Sequence, residues 1–238
     1  MISSIRVVSL VPSVTETLLA WGIEPIACTR FCEQPGIEDV GGTKDPDLGA
    51  IEALAPDLVV FDQEENRLED YQELASQNLR VESLHVTSVS DVGTELGRLA
   101  SVVGAQWSYS LDAPRGSRSL TAFVPIWRRP WMTVTAGTYG VSVLNHLGVD
   151  VLFSEMEDRY PSLDDKNLMA AKPDIVLAPS EPYPFGKRHL DILEAIAPTL
   201  LIDGQDLFWW GSRTIDAMQR LDQKLEVLKE KGIKQIWL

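Results

Sequence analysis

Apolar positions along this chain fall into short β-branched runs separated by stretches with helical spacing. Val7 to Val11 reads as a strand stopped by Pro12; Ser13-Val-Thr-Glu-Thr17 then forms a tight loop into a helix, Leu18 to Trp21, that stops at Gly22. Leu48 to Ala55 has helical spacing and ends at Pro56, after which Asp57-Leu-Val-Val-Phe61 is a continuous buried-strand pattern. Leu68 to Gln77 predicts an amphipathic helix and Val81 to Val86 another strand. In the second half, Leu120 to Ile126 is a strand and Tyr139 to Leu147 a helix stopped by Gly148. Leu163 to Ala171 is a helix ending before the strand of Pro173-Asp-Ile-Val-Leu177.

The two halves share one grammar. Ile51-Glu-Ala-Leu-Ala-Pro-Asp-Leu-Val-Val60 and Leu168-Met-Ala-Ala-Lys-Pro-Asp-Ile-Val-Leu177 both run helix end, Pro-Asp, strand. Strands alternating with helices imply an α/β protein of two similar lobes, with mostly parallel sheets flanked by helices and right-handed crossovers. Between them, Val92, Leu96, Leu99 and Val103 share one helical face, with Ser90 or Asp91 as N-cap. A helix from about Ser90 to Tyr109 would span about 30 Å. The polar stretch Asp112-Ala-Pro-Arg-Gly-Ser-Arg-Ser119 then ends it. The domains are thus an N-terminal lobe (1–88), a connecting helix (89–111) and a C-terminal lobe (112–238). A single larger α/β domain with a surface helix is the alternative.

Composition adds exclusions. With 45% hydrophobic and 24% charged residues the chain is globular, and a net charge of −14 disfavours nucleic acid and anionic membrane surfaces as partners. Apolar runs fall far short of the ~20 residues a membrane helix needs, so no membrane insertion is expected. The first twelve residues lack a signal-peptide pattern, which points to a cytoplasmic chain; a trimmed mature form of an exported, periplasmic protein would read the same. Cys28 and Cys32 match neither a paired zinc motif nor Cys-x-x-Cys and are expected to be structural or incidental. The tail Ile233 to Leu238 reads as an added strand or a contact with another chain.

In parallel α/β sheets ligands bind beyond the carboxyl ends of strands, and the loops there are unusual. They are Cys28-Thr-Arg-Phe-Cys-Glu33, Asp62-Gln-Glu-Glu-Asn-Arg67, Trp127-Arg-Arg-Pro-Trp-Met132, Ala178-Pro-Ser-Glu-Pro-Tyr-Pro-Phe185, and Gly204 to Arg213 with Trp209 and Trp210. Aromatic faces flanked by guanidiniums suit a large flat ligand bearing carboxylates, amides or phosphates; the same aromatics could instead shield core edges. Glu64 and Glu65 could bind a cation or, the favoured role, cap the helix that follows. No Gly-x-Ser-x-Gly elbow, Walker loop or Gly-x-Gly-x-x-Gly is present. His85, His146 and His189 lack metal-chelating spacing and read as structural.

Arg6-Val-Val-Ser-Leu-Val-Pro-Ser-Val-Thr-Glu-Thr-Leu-Leu-Ala-Trp-Gly22, followed by Asp45-Pro-Asp-Leu48 and Ala55-Pro-Asp-Leu-Val-Val60, resembles the opening lobe of class III (helical-backbone) ABC-transporter substrate-binding proteins, closest to the cobalamin- and iron-siderophore-binding branch. Gly137-Thr-Tyr139, Leu144 to Phe153, Arg159-Tyr-Pro161 and Lys172 to Leu177 resemble its second lobe. The resemblance implies a non-enzymatic protein that captures a metal-containing chelate in a cleft between lobes: cobalamin first, then an iron-siderophore or haem, with no covalent cofactor. By position, Phe31 matches a first-lobe aromatic, and the Asp203 to Arg213 loop one that supplies aromatic and polar contacts. Asp62 stands where cobalamin binders can have a Trp. An ABC permease is the implied partner, docked through one surface Glu per lobe; those positions fall near Gly49 and Lys166, with Asp47 and Asp165 beside them.

The candidate ligand contacts are Arg30, Phe31, Glu64, Arg67, Trp127, Arg128, Arg129, Trp131, Tyr139, Tyr160, Glu181, Tyr183, Phe185, Trp209, Trp210 and Arg213. Two other classes compete with this reading: an enzyme acting on a cofactor or chelate, with Cys32, Glu64 or Glu65 at the chemistry, and an interaction protein whose aromatic loops form an open patch.

Overall fold

Strand β1 (Val7–Ser9) passes almost directly into helix α1 (Pro12–Ala20). Pro12 occupies the first helical turn, where its missing N–H has no intrahelical acceptor to lose and its fixed φ already suits the helix. The tight loop expected over residues 13–17 is therefore helix. The computed structural model describes residues 5–231. The chain divides into two units, one holding the residues up to Val86 with Ser90–Ser110 and Trp210–Ser212, the other Thr87–Val89, Leu111–Trp209 and the residues from Arg213 on.

The first unit continues with β2 (Ala27–Cys28), a 3-10 turn (Arg30–Cys32), β3 (Glu38–Asp39), α2 (Leu48–Ala53), β4 (Leu58–Asp62), α3 (Leu68–Ser76), β5 (Val81–Leu84) and α4 (Asp91–Val103). Its strands form one wholly parallel sheet in the order β3-β2-β1-β4-β5. Val8 of β1, Leu10 just beyond it, and Val59 and Phe61 of β4 pack with Ile51 and Leu74 of α2 and α3.

Helix α4 is shorter than the sequence predicts. It has 13 residues, about 20 Å at 1.5 Å per residue, and Gly104 ends it in the left-handed conformation at φ +74°. The chain then doubles back on the helix. The Tyr109 ring lies 2.8 Å from where a Cβ on Gly93 would stand, and Trp107 lies over Gly97 one turn on. The two rings stack at 6.1 Å, and Trp107 also meets Trp21 at 5.7 Å. Two glycines four residues apart make the groove that receives these aromatics, and residues 105–109 lie outside the helix.

The second unit comprises β6 (Thr121–Phe123), β7 (Trp131–Met132), α5 (Tyr139–His146), β8 (Asp150–Val151), β9 (Ser162–Leu163), α6 (Asp165–Ala171), β10 (Ile175–Pro179), α7 (Leu190–Glu194), β11 (Thr199–Ile202), α8 (Gly204–Phe208) and α9 (Thr214–Lys231). Four strands form a parallel sheet in the order β11-β10-β6-β8, while β7 and β9 pair antiparallel. Phe123, Val176 and Ala178 sit in its core with Leu168 and Leu193. Arg118 and Arg115, in the polar stretch before β6, both pair with Asp222 of α9, and Arg118 also reaches Glu226 at 2.9 Å. The 233–238 tail lies outside the described residues.

The Pro-Asp repeat has the same structural role in both units. Ala55 and Lys172, each preceding the proline, take left-handed φ values of +45° and +48° that end the helix. Asp57 then accepts the Arg6 backbone N–H at 2.8 Å, and Asp174 accepts those of Thr121 backbone N–H at 2.8 Å and hydroxyl at 2.6 Å. Each aspartate thus fixes the start of the neighbouring central strand, β1 or β6. The Thr121 hydrogen bonds hold the Asp174 carboxyl below its ordinary pKa.

Gly148 follows α5 at φ +78°, and a Cβ there would lie 2.4 Å from the Gly116 carbonyl oxygen. Arg118 donates its backbone N–H to the Gly148 carbonyl at 2.8 Å, so the segment has little room to move away. Gly148→Ala is expected to destabilise the protein by about 1–3 kcal/mol, from left-handed strain plus overpacking, measured by urea denaturation at neutral pH.

Candidate ligand-binding site

A parallel sheet whose strand order reverses leaves a crevice beyond the carboxyl ends of the two strands at the reversal, because their crossovers leave toward opposite faces. In the second unit the reversal lies between β6 and β10. The loop after β6 delivers Trp127 and the loop after β10 delivers Tyr183, and the two rings meet edge-on with centroids 5.4 Å apart. Trp127 is held by a tight reversal in which Met132 donates its N–H to the Trp127 carbonyl and Ile126 donates to that of Met132. Its backbone is hydrogen-bonded while the residue stays 46% exposed. An ordered, half-bare indole on a switch-point crevice is a surface for stacking.

Behind this pair the aromatics are layered. Tyr183 lies 4.6 Å from Phe185, which stacks on Trp131 at 6.2 Å, and His189 touches both Tyr183 and Phe185. Burial, followed by the charges of Arg188 and Arg128, holds the His189 pKa below its ordinary value, and the Gly186 N–H donates to its Nδ1 at 3.2 Å. His189 is thus a neutral packing group, as the sequence suggested. The Arg128 guanidinium sits 5.9 Å from the Trp131 ring centroid. A concavity of about 800 Å³ is lined by Arg128, Arg129, Trp131, Leu168, Met169 and Ile192.

The loop after β11 is largely α8, capped by Asp203, which accepts the Gln205 N–H at 2.9 Å. Gly204 packs so closely on the Glu181 backbone that a Cβ would stand 2.6 Å from its nitrogen. Trp209 is half-buried under the Arg213 guanidinium at 5.3 Å. Asp206 is held in a two-pronged pair by Arg220 at 2.9 and 2.6 Å, leaving Arg213 4.0 Å away.

In the first unit the reversal lies between β1 and β4, and Asn66 closes it. Its amide donates to the Leu10 carbonyl at 3.1 Å and the Thr43 carbonyl at 3.0 Å, while its Oδ1 accepts the Asp62 N–H at 2.7 Å. Asp62, 2% exposed, accepts the backbone N–H groups of Glu64 and Glu65 at 2.9 and 3.0 Å through Oδ1, while Oδ2 is buried without a hydrogen bond. Burial pushes its pKa up to about 7. A cavity of about 450 Å³ is lined by Asp62, Gln63, Asn66, Arg67, Tyr71 and Ser83.

Several predicted contacts differ from expectation. Tyr139, Phe185 and Trp210 are interior residues: Tyr139 shares a hydrogen bond with the Thr214 hydroxyl at 3.1 Å, and Phe185 is covered by Trp131. Trp210 is separated from Trp209 by the division of the chain, in a segment whose Ser212 N–H donates to the Thr17 hydroxyl of α1 at 3.1 Å. Their apolar faces are already occupied by the protein. Glu64 and Glu65 do not cap α3: Arg67 occupies the N-cap position, and Glu69 and Asp70 fill the first turn. Arg67 is turned onto Asp70 by two hydrogen bonds at 3.0 and 2.8 Å.

Phe31 is 50% exposed on the 3-10 turn with the Arg30 guanidinium 4.9 Å from its ring centre, and Arg30 pairs with Asp45 at 2.9 Å. Trp131, Tyr160, Glu181 and Tyr183 are partly exposed, and Arg129 is exposed. Sequence reasoning missed Asn66; its signal is an amide four residues beyond a strand-terminal Asp.

The chain is similar in sequence to vitamin B12-binding proteins and in fold to periplasmic binding proteins of two α/β lobes. No family model matches the sequence. The vitamin B12-binding protein of Pectobacterium carotovorum is 22% identical, the match covering 94% of this chain and 89% of that protein. That of Salmonella choleraesuis is 23% identical, over 72% of this chain and 71% of its own length. Among solved structures, the periplasmic vitamin B12 binding protein BtuF of Vibrio cholerae superposes with a TM-score of 0.73 at 15% identity, covering 94% of this chain and 98% of that one. The periplasmic heme binding protein HutB of the same organism gives 0.70 at 18% identity, covering 94% and 99%. No helix among the described residues is long and apolar enough to cross a membrane.

Proposed function

We propose that this chain is a non-enzymatic binding protein for a flat metal-containing chelate, a corrinoid first and haem or an iron-siderophore next. The carrying observation is the Trp127–Tyr183 pair on the β6/β10 crevice. An exposed indole braced by a second ring offers apolar area without an ordering cost on binding, as a macrocycle requires. Arg128, Arg129 and Arg213 supply donors to carboxylate, phosphate or amide oxygens at the rim of such a ligand. Phe31 and Arg30 form a smaller pair of the same kind on the first unit. The names of the relatives, vitamin B12-binding protein, and of the structural neighbours support this ligand class.

Work with an ABC permease belongs to the same proposal. The exposed carboxylates nearest the docking positions are Asp47, which caps α2, and Asp165 in the first turn of α6. The periplasmic setting of the structural neighbours favours action outside the cytoplasm, against the cytoplasmic location expected from the N-terminal sequence; fractionation of cells expressing the native gene separates the two.

The binding test is quenching of the seven Trp by cobalamin, hemin and a ferric siderophore, corrected for ligand absorbance. Saturable quenching by one of them is expected, weakened about 10–100-fold in Trp127→Ala by loss of stacking and buried area. No saturable response to any of the three would overturn the proposal.

A further inference from the structure

We propose that His189 is the positioning residue of the Trp127–Tyr183 platform, and that protonation of its ring takes the platform apart. An acid-sensitive ligand affinity follows if the binding role proposed above holds; the device itself is present whatever the protein binds.

His189 ends the short 3-10 turn Lys187–His189 and is 8% exposed. Its ring centroid lies 5.5 Å from that of Tyr183 and 5.6 Å from that of Phe185, and Tyr183 in turn braces Trp127 at 5.4 Å. Both ring nitrogens face a donor: the Gly186 backbone N–H stands 3.2 Å from Nδ1, and the Arg188 Nε–H 3.3 Å from Nε2. A neutral imidazole has one lone pair to offer, so it accepts from one of these donors at a time; an imidazolium accepts from neither. Protonation therefore sets N–H against N–H on both edges of a ring already packed on two aromatics.

The charged and titratable groups around the ring come from three segments. They are the Tyr183 phenol on the loop after β10, Arg188 on the turn itself and Arg128 on the loop after β6. Burial denies an imidazolium its water and the two guanidiniums repel it, so the His189 pKa lies below the ordinary 6.5, with burial the larger cause. The packed arrangement is thus fully present above about pH 6.5 and is lost as the pH falls through the lower folded-state value. The backbone bonds of this segment are local: Phe185 N–H donates to the Tyr183 carbonyl at 2.7 Å, and His189 N–H to the Gly186 carbonyl at 2.8 Å. They let the segment move as one piece, carrying the Tyr183 ring off Trp127.

The test uses the intact chain and, first, its own fluorescence. On lowering the pH from 7.5 to 5, Trp emission is expected to change in one reversible step. Its midpoint should match the titration of the His189 Hε1 resonance by NMR, in a chain with only three His. The step is expected to lose most of its amplitude in Trp127→Phe, which removes the reporter. It should vanish in His189→Asn, which keeps an acceptor where Nδ1 stands and does not titrate. Asp62→Asn should keep the step, which separates His189 from the other group titrating in this range. Absence of the step in wild type, its full persistence in Trp127→Phe, or a His189 that titrates at 6.5 or above would overturn the proposal. None of these outcomes needs the His189 variant to fold. With cyanocobalamin and hemin as probes, wild-type affinity is expected to fall about fivefold or more between pH 7.5 and 5.5, and less than about twofold in His189→Asn. An equal fall in the two proteins would also count against the proposal. If neither probe binds at pH 7.5, the binding role fails, and the ligand-free step still decides whether His189 holds the platform.

Discussion

Replacing Phe123 by alanine is expected to destabilise the second unit by about 3–5 kcal/mol, the range for emptying a fully buried aromatic site. The ring has no exposed surface and meets Trp131 and Phe153 edge-on at 6.0 and 6.5 Å. It lies on β6, where it registers with Val176 of β10, so the cavity would open beside the central strand pair, with few means of closing. Trp131 rests on this ring and Phe185 rests on Trp131, so the aromatic layer behind Tyr183 would loosen with it. Urea denaturation followed by circular dichroism measures the loss, and Phe123→Leu should recover more than half of it. A change below about 1 kcal/mol in the alanine variant would show that the site collapses without cost.

The second large effect concerns pH. Asp62 has a folded-state pKa raised to about 7 by burial, against 3.8 for the free group. The folded state therefore binds this proton more tightly than the unfolded chain does. The stabilising contribution is fully present below about pH 4 and is lost as the pH rises through about 7. At 1.36 kcal/mol per pKa unit the loss between pH 4 and 8 is about 2–4 kcal/mol. Asp62→Asn keeps an acceptor for the Glu64 and Glu65 N–H groups and removes the titration. The variant should be more stable than wild type at pH 8, with a flatter pH profile above pH 5. Parallel profiles for the two proteins would mean that water reaches the carboxyl and that it titrates normally.

The elements were legible where the signal is local. The Pro-Asp repeat announced two units of one kind, and each proline and aspartate proved to act on the strand beside it, Asp57 on β1 and Asp174 on β6. Gly148 stopped α5 as its place after a helical run suggested. Errors came where distant segments meet. The helix expected to Tyr109 ends at Val103 because Gly93 and Gly97 make room for the returning Trp107 and Tyr109, a fit invisible to helical periodicity. Likewise Trp209 and Trp210 are neighbours in sequence with different surroundings, since a bend at Gly211, at φ +142°, sets Trp210 with the residues against α1.

For the candidate site, the sequence determined which residue types reach the carboxyl edges: indoles, phenols and guanidiniums in loops that follow strands. It did so because strand and helix limits depend on backbone propensities of near neighbours. Which of those rings stay bare was decided by tertiary structure. The order β11-β10-β6-β8 makes Trp127 and Tyr183 partners across a crevice while covering Phe185 and Tyr139. The raised pKa of Asp62 was settled the same way, because its solvation is set by atoms from several elements of the fold.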